Sequence, residues 1–351
     1  MEKNKFFRYM IFIITAFYMI ALFTSCSAKI PEPIEVQEFH MGTIITERVY
    51  GKNANKAAGE VMDKIQKLES LMTINTFGGD TNKLNEFAGK DKVKLDPETI
   101  YVLETAKRFS ELSQGAFDVT VGPLVKAWGI QTDNQRIPSK DEIGNLIKLV
   151  GYKDLAVEPS QLTAKLARTG QIVDLGGIAK GYAGDAAIKI LKDNGIQSAF
   201  VNLGGNVVVL GNKPDGSPWK IGVQNPRAEN GKYLGILKVK DKAIISSGDY
   251  ERYFEKDGVR YHHILDSKTG YPSDSGLIGT TIVADKSIDG DTLSTATFVL
   301  GLDKGMQLIE SLEGVEAIFI TKDKKVYTTN GLKDIFTFED ESKEYQYVEK
   351  R

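Results

Sequence analysis

A glycine-rich turn is the part of this sequence whose residue types best suit phosphate chemistry. Residues 173–185 read Val-Asp-Leu-Gly-Gly-Ile-Ala-Lys-Gly-Tyr-Ala-Gly-Asp. Glycine lets the backbone approach a ligand closely, the helix expected next presents free N–H groups to an anion, and Lys180 adds a mobile positive charge. Because neither Gly-Lys-Ser/Thr nor Gly-x-Gly-x-x-Gly is present, the turn is not a P-loop or a dinucleotide fingerprint. A strand-to-helix turn that needs its glycines only for packing is the alternative.

A carboxylate and a hydroxyl at helical spacing form a second group that could do chemistry. Asp291 and Thr295 are four residues apart in a segment predicted to be helical, so both side chains project from one face. A hard divalent cation takes oxygen ligands, and these two groups could share one. The alternative is structural: Asp291, or equally Asp289, caps the helix and Thr295 bonds back within it.

Two of the chain's three histidines are adjacent, at His262 and His263. Beside a phosphate group, a histidine can act as an acid or base or donate a hydrogen bond, whereas histidines within strands are often structural. Asp266 and the residues after it could build the tight turn that precedes Gly270. The glycine turn at 202–206 could pass close to a ligand or simply close a hairpin.

Helices that would position these groups are indicated by apolar residues at helical spacing and by capping residues. Asp96 and Pro97 mark a helix start, as the cap and the first helical residue. Helices are predicted at 55–72, from 96 to about 115, at 183–194 and at 291–300.

Strands dominate the second half of the chain, where the apolar period changes to two from residue 198 onward. Strands are predicted at 40–50, 200–203, 207–210, 219–223, 234–239, 243–246, 278–283, 317–320 and 326–328. Helices and strands do not alternate regularly. The sequence therefore predicts an α+β fold with mixed, largely antiparallel sheets flanked by helices, and not a doubly wound sheet.

The composition is that of an ordinary globular protein, with 351 residues of which 41% are hydrophobic and 26% charged. It suits one large or two modest domains with ample material for a core. A formal net charge of −2 offers nothing to attract nucleic acid and argues against a polybasic membrane patch. The charged tail at 339–351 is expected to fray.

The N-terminus resembles a bacterial lipoprotein signal. A basic region that ends at Arg8 precedes an apolar run of 15 residues at 9–23, which is short for a bilayer span. Small residues follow, and then Cys26, the only cysteine in the chain. In such signals that cysteine is acylated and becomes the new N-terminus, although Phe23 stands where leucine is usual. A plain secretory signal or a short anchor helix is the alternative.

This resemblance implies a topology. We expect a signal peptide at 1–25, lipidation at Cys26, an extended tether at 26–37 and attachment to the extracytoplasmic (periplasmic) face of the cell membrane. With its one cysteine used in this way, the protein has no disulfides, and its stability must come from its core.

Five segments, in order, resemble the ApbE family, the FAD:protein FMN transferases. They are Met41-Gly42-Thr43, the run GAFDVTVGPL at 115–124, the glycine turn, the run HHILDSKTGYP at 262–272 and the run DTLST at 291–295. One such motif would be a weak signal, but five in order at sensible spacing are specific. The resemblance implies an ApbE-like transferase domain over residues 38–338.

An activity is implied by the same resemblance: transfer of the FMN half of FAD to a threonine hydroxyl on another protein, with release of AMP. In similar proteins Mg²⁺ is bound at the positions of Asp291, Thr295 and the Gly177 carbonyl, where it would neutralise the pyrophosphate. Lys180 and the helix N-terminus would stabilise charge on the transferred and leaving phosphates. Asp266 or His263 would take the proton.

A flavin site is implied as well. Asp174 would fix the flavin ring or orient the turn, and Asn75 stands where many relatives place an aromatic that stacks on the cofactor. The alternative to flavin binding is a structural role, with Phe117 in the core and Asp118 forming a turn. The implied cofactor-binding residues are Met41, Asn75, Ala116, Phe117, Asp118, Asp174, Lys180, His263 and Ile264.

The targets implied by the resemblance are flavin-accepting subunits of the Na⁺-translocating NADH:quinone reductase and the related Rnf complex. These subunits carry an Asp-x-x-Thr-type acceptor sequence and face outward from the inner membrane, where a tethered enzyme would meet them. Two other functions stay open. A hydrolase with the same Mg²⁺ site would split FAD into FMN and AMP, and a binding lipoprotein would deliver flavin without chemistry.

Overall fold

The computed structural model describes residues 32–74, 77–229 and 231–349. Its strands are β1 Ile34–His40, β2 Thr43–Tyr50, β3 Val93–Lys94, β4 Leu155–Glu158, β5 Thr163–Leu166, β6 Ser198–Leu203, β7 Asn206–Leu210, β8 Trp219–Gln224, β9 Tyr233–Val239, β10 Ala243–Gly248, β11 Tyr253–Lys256, β12 Val259–His262, β13 Leu277–Ala284, β14 Val315–Thr321, β15 Lys325–Thr328, β16 Phe336–Phe338 and β17 Gln346–Val348. Its α-helices are α1 Ala54–Met72, α2 Asp80–Glu86, α3 Pro97–Leu112, α4 Gly122–Trp128, α5 Lys140–Leu146, α6 Ala179–Asp193, α7 Ser287–Leu300 and α8 Leu302–Glu310.

A nine-stranded sheet forms the middle layer. Its strands lie in the order β1-β2-β6-β7-β10-β13-β14-β15-β17, and every neighbouring pair is antiparallel except β15 with β17. Smaller sheets are formed by β16-β9-β8, by β3-β5-β4 and by the hairpin β11-β12. Helices and mostly antiparallel sheets therefore confirm the predicted α+β fold class.

The central strands of the large sheet are covered on both faces. Helices α1, α6, α7 and α8 pack along one face, and the sheet of β8, β9 and β16 packs against the other through a second apolar cluster that includes Val207, Val209 and Trp219. Strands β7 and β13 are buried at every position because they lie beneath both layers. Such strands are rich in apolar residues, as in Val207–Leu210 of β7, and the buried threonines of β13, Thr280 and Thr281, interrupt its apolar sequence.

The N-terminal strand corrects the predicted tether. Residues 34–37 belong to β1, which pairs along its whole length with β2 at the edge of the large sheet. The long strand predicted at 40–50 is therefore the second arm of a hairpin. The first 31 residues, with Cys26 and the predicted signal peptide, lie outside the described residues.

The C-terminal segment also differs from its prediction as a frayed tail. Strand β17 adds to the large sheet beside β15. Asp340 accepts hydrogen bonds from Ser342 N at 2.9 Å and Tyr345 N at 2.8 Å, and Tyr345 is buried. The compact unit starts at Pro33 and includes this segment, so it extends beyond 38–338 at both ends.

Helices α6 and α7 both begin four residues before their predicted starts. As a result, Lys180 lies in the first turn of α6, and Asp291 lies in the second turn of α7 and not at its cap. Other predicted helices were confirmed closely, and Asp96 caps α3 by accepting from Glu98 N at 2.9 Å. No helix among the described residues is both long and apolar enough to cross a bilayer.

Candidate active site

The glycine turn is shaped by one carboxylate. Asp174 Oδ1 accepts a hydrogen bond from Gly176 N at 2.8 Å, and Asp174 N donates to Val119 O at 2.7 Å. Burial raises the pKa of Asp174, and the positive charges of Arg252 and Lys126 act in the opposite direction. These bonds support the turn-orienting role for Asp174, while its contact with a flavin ring stays a prediction.

Lys180 places a positive charge at the start of α6. The N-terminal end of a helix also carries partial positive charge, so the two add. Lys180 forms no ion pair within 4.0 Å with any residue in the described part of the chain, and its charge acts on Glu251 and on His263. An uncommitted cation at a helix N-terminus is suited to binding an anion.

The three predicted magnesium ligands lie together where the glycine turn meets α7. Asp291 is buried, and its Oδ2 accepts from Gly181 N at 2.8 Å. A Cβ built on Gly177 would lie 3.5 Å from Thr295 Oγ1. The structure therefore brings one carboxylate, one hydroxyl and the backbone of the glycine turn to a single place.

The hydroxyl of Thr295 fits a ligand role because it is unused. Most other hydroxyls of α7 bond back to their own helix: Thr292 to Ile288 O at 3.0 Å, Ser294 to Asp291 O at 2.9 Å and Thr297 to Leu293 O at 2.7 Å. Thr295 makes no such bond, nor any other hydrogen bond within the described residues. The back-bonding alternative is therefore wrong for Thr295.

The donor set is one that suits magnesium rather than a softer metal. Among the described residues there is no group of three or more His, Cys, Asp and Glu side chains placed to hold a metal ion. Asp291, Thr295 and a Gly177 carbonyl supply one charged and two neutral oxygens. Magnesium binds through few protein carboxylates and completes its shell with waters and substrate phosphates, so these oxygens fit it.

Phe117 reaches the same place from the second motif. A Cβ on Gly177 would lie 3.2 Å from Phe117 Cε2, and Phe117 N donates to Ser113 Oγ at 3.0 Å. Phe117 and Ala116 are both buried. The Phe117 ring therefore packs against the glycine turn. The predicted contacts of Ala116 and Phe117 with flavin stay predictions.

Asp118 uses both carboxylate oxygens within the protein. Oδ1 accepts from Thr120 N at 2.8 Å and from Thr120 Oγ1 at 2.7 Å, and Oδ2 accepts from Tyr152 N at 2.9 Å. Burial raises the pKa of Asp118, which these hydrogen bonds oppose. The turn-forming alternative describes these bonds well, and a further bond to flavin stays a prediction.

His263 is held as a neutral ring with one free nitrogen. Its Nδ1 lies 3.2 Å from Arg252 O, and because a carbonyl only accepts, Nδ1 donates and Nε2 keeps its lone pair. Burial, with the charges of Arg252, His262 and Lys180, holds the pKa of His263 well below its usual value. The free Nε2 of this neutral ring is a hydrogen-bond acceptor, and the role of His263 as the base stays a prediction.

The neighbours of His263 have structural roles. His262 is buried and its Nε2 donates to Ser273 O at 3.1 Å. Asp266 Oδ1 accepts from Lys268 N at 2.8 Å, and Asp266 O accepts from Gly270 N at 2.7 Å. Asp266 therefore builds the predicted tight turn, and its role as a proton acceptor stays a prediction.

The motif at 262–272 is held against the motif at 115–124 and the helix that follows it. Ser267 Oγ donates to Gly115 O at 2.6 Å, and Trp128 Nε1 donates to Gly270 O at 2.8 Å. Ile264 is buried between these contacts and the core. The loop that carries His263 is therefore fixed in relation to Phe117 and the glycine turn.

Met41 lies at the tip of the first hairpin in an unusual conformation. Met41 and Gly42 have φ of 52° and 72°, the left-handed pair that a tight two-residue hairpin turn needs. Met41 N donates to Glu69 Oε1 at 2.7 Å. Gly204, in the turn between β6 and β7, packs so closely that a Cβ there would overlap Thr43 Oγ1. The 202–206 segment is therefore a hairpin turn, and it supports the first motif.

Three charged residues at the site escaped the sequence analysis. Arg252 acts on both Asp174 and His263, Glu69 fixes Met41, and Asp185 binds the start of α7. No local spacing in the sequence links these residues to their partners, so only the folded structure brings the contacts to light. Asn75, predicted to bind the cofactor, lies outside the described residues.

The fold and the site define an α+β protein in which a carboxylate, a hydroxyl and the backbone of a glycine turn meet beside a lysine at a helix N-terminus. The family model described as "ApbE family" matches residues 41–319. The chain belongs to the ApbE family.

Similar proteins carry names that agree with this membership. An "FAD:protein FMN transferase" of Treponema pallidum is 34% identical over 85% of this chain and 87% of that protein. One of Klebsiella pneumoniae is 34% identical over 82% of this chain and 88% of that protein. The crystal structure of the ApbE protein from Thermotoga maritima aligns with a TM-score of 0.80 at 33% identity, and it covers 87% of this chain and 99% of its own.

Proposed function

We propose that this protein is an FAD:protein FMN transferase that moves the FMN half of FAD to a threonine hydroxyl of a flavoprotein subunit. The observation that carries the proposal is the meeting of Asp291, Thr295 and Gly177 at the N-terminus of α6. A flavin transferase from Vibrio cholerae aligns with a TM-score of 0.78 at 27% identity over 87% of this chain and 99% of its own.

The reaction forms one phosphoester and breaks one phosphoanhydride. The threonine oxygen of the acceptor attacks the phosphorus of the FMN half, and the bond from that phosphorus to the bridging oxygen breaks. FMN stays on the acceptor, AMP leaves with the bridging oxygen, and the hydroxyl proton goes to a base. The acceptor brings the nucleophile, so the chain needs none of its own.

The other steps of the reaction are pyrophosphate binding, proton transfer and charge neutralisation, and we assign each to residues that the structure describes. Lys180 and the partial positive charge at the N-terminus of α6 bind the pyrophosphate and stabilise the charge that develops on the leaving AMP. The neutral His263 takes the proton at Nε2. Asp291, Thr295 and the Gly177 carbonyl would hold Mg²⁺, which when bound would neutralise the charge of the pyrophosphate.

The test incubates the purified protein with FAD, Mg²⁺ and an acceptor domain that contains an Asp-x-x-Thr sequence, from a Na⁺-translocating NADH:quinone reductase or Rnf subunit. Flavin fluorescence in the acceptor band of a denaturing gel, with an intact mass increased by one FMN, is the expected result. Free FMN and AMP without labelled acceptor would instead identify a hydrolase. FAD binding without any AMP release would identify a flavin-binding protein.

We also propose that the protein is attached by a lipid at Cys26 to the extracytoplasmic face of the cell membrane. The support is the basic region, short apolar run and single cysteine of the N-terminal sequence. Replacing the cysteine (Cys26→Ser) is expected to move the protein from the membrane fraction to the soluble extracytoplasmic fraction. If the variant stays with the membranes, the N-terminus is an uncleaved anchor and not an acylation site.

A further inference from the structure

Helices α6 and α7 have no capping side chains at their own N-cap positions. These positions are Ile178 in α6 and Lys286 in α7, and neither side chain accepts a hydrogen bond from its helix. The first amides of a helix have no partner within the helix and need acceptors from elsewhere. In both helices a carboxylate from the other helix provides one.

The two carboxylates act reciprocally. Asp185 of α6 accepts from Ser287 N at 2.7 Å and from Ile288 N at 3.0 Å, at the start of α7. Asp291 of α7 accepts from Gly181 N at 2.8 Å, in the first turn of α6. We call this arrangement of two carboxylates and three amides the helix clasp.

The helices are also in direct backbone contact at the clasp. A Cβ added to Gly181 would lie 2.6 Å from Ser287 O, 2.7 Å from Ile288 Cα and 2.6 Å from Asp291 Cβ. Because Gly181 has no side chain to separate the two backbones, a displacement at the start of α7 also displaces Asp291 relative to α6.

The Asp185 carboxylate is embedded between the helices. Burial raises its pKa to about 6, while the two amide hydrogen bonds oppose this rise. It therefore remains ionised at neutral pH, and an ionised acceptor makes the stronger hydrogen bond.

We infer that Asp185 is a positioning residue for the proposed transfer reaction. By holding the start of α7 against α6, it sets where Asp291 and Thr295 lie relative to the glycine turn. Asp185 acts through these residues and has no part in the chemistry itself. The inference rests on the proposed function for its activity readout, but its structural readout is independent of that function.

Amide hydrogen exchange of the full protein provides the structural test. The change Asp185→Asn keeps the size of the side chain, removes its charge and leaves one oxygen acceptor in place of two. Exchange is expected to become faster at Ser287 and Ile288 and also at Gly181, on the other helix. Faster exchange at Ser287 and Ile288 alone would make Asp185 a local cap and overturn the inference.

Kinetics provide the second test, with the Mg²⁺ concentration for half-maximal rate as the readout. It is expected to rise about tenfold in Asp185→Asn, as for residues that orient metal ligands, while the KM for FAD stays nearly constant. The change Asp185→Glu keeps the charge and should recover part of the loss. An unchanged Mg²⁺ requirement in Asp185→Asn would contradict the inference.

Two control variants separate positioning from general stability. Asp193→Asn removes a carboxylate from the same helix, where it pairs with Lys189 at 2.6 Å. Ser139→Ala removes the cap of α5, which accepts from Glu142 N at 3.2 Å. The second is expected to lower stability, and neither should change the Mg²⁺ requirement. If the wild type labels no acceptor, the proposed function fails, and the exchange experiment still decides the inference.

Discussion

The oxygen ligands proposed for magnesium differ in what else each one does. Asp291 also accepts a hydrogen bond from Gly181 N, whereas Thr295 bonds to nothing that the structure describes. Loss of the first ligand should therefore affect both the fold and the reaction, and loss of the second should affect the reaction alone.

A pair of variants tests this difference. Thr295→Val is expected to raise the Mg²⁺ requirement about tenfold while the melting temperature without ligand stays unchanged. Asp291→Asn is expected to abolish metal-dependent turnover and lower the melting temperature. The control is Thr292→Val, which removes a hydroxyl that bonds back to Ile288 O and should leave the Mg²⁺ requirement intact. A Thr295→Val enzyme with the wild-type Mg²⁺ requirement would remove Thr295 from the ligand set.

The strained backbone of Met41 is expected to lower the stability of the fold while its side chain contributes to FAD binding. Its left-handed backbone costs a non-glycine residue on the order of 1 kcal/mol, and such strain is often retained at functional sites. Met41→Asn, which suits this conformation better, should raise the free energy of unfolding and increase the KM for FAD. Gln131→Asn is the control, since Gln131 also has a positive φ of 61° but lies outside the proposed site. An unchanged KM for FAD in Met41→Asn would mean that Met41 has no role in binding.

The sequence could predict local pairs at this scale but not distant ones. Asp291 and Thr295 were recognisable because their spacing alone puts them on one helix face. Asp185 was not, because its partners, Ser287 and Ile288, are about a hundred residues away in sequence. Glu69 and Arg252 were missed because they meet Met41 and Asp174 only through the packing of separate elements, which no local spacing marks.

At the scale of elements, the packing of α6 on α7 depends on glycines. Gly181 and Gly184 have helical backbones, so alanine would suit their conformation, but neighbouring atoms of α7 occupy the space. The predicted starts of both helices were four residues late for a related reason. Their capping groups come from each other, and no local sequence signal marks where they begin.

Matched glycine substitutions test this packing. Gly181→Ala is expected to lower the free energy of unfolding by about 1–3 kcal/mol, as overpacking does, and to abolish transfer by displacing Asp291. Gly59→Ala in α1, where a Cβ would meet nothing within 4 Å, should instead stabilise the protein by roughly 0.5–1 kcal/mol. Urea unfolding of both variants is the measurement. A Gly181→Ala protein with wild-type stability would show that α6 and α7 do not pack this closely.

At the scale of the whole molecule, layering explains which parts of the sequence were easy to interpret. Strands β7 and β13 are covered on both faces, and their segments rich in apolar and β-branched residues were predicted correctly as strands. The edge strands β1 and β17 carry polar and charged residues, so they were mistaken for a tether and a frayed tail. Edge strands pair through their backbones, which leaves little trace in the side-chain pattern.

One ionisable residue is buried between the layers, where apolar residues are expected. Glu47 of β2 lies on the helix-covered face between Ile45 and Val49, fully buried, and neither carboxylate oxygen has a hydrogen-bond partner in the described structure. Burial, with a smaller effect of Glu38, raises the pKa of Glu47 to about 8. The folded protein therefore holds this proton at pH values where the unfolded chain, with an ordinary pKa of 4.5, has released it.

The consequence is a fold that loses stability as the pH rises. Between about pH 4.5 and pH 8 the folded state binds more protons than the unfolded state at Glu47, so the free energy of unfolding should fall by up to roughly 1.4 kcal/mol per pH unit. Urea unfolding at several pH values should show this fall in the wild type and its disappearance in Glu47→Gln, which cannot titrate. Glu35→Gln, an exposed change on the neighbouring strand β1, should keep the wild-type slope. Parallel stability curves for Glu47→Gln and the wild type would mean that Glu47 is hydrated and charged in the folded protein.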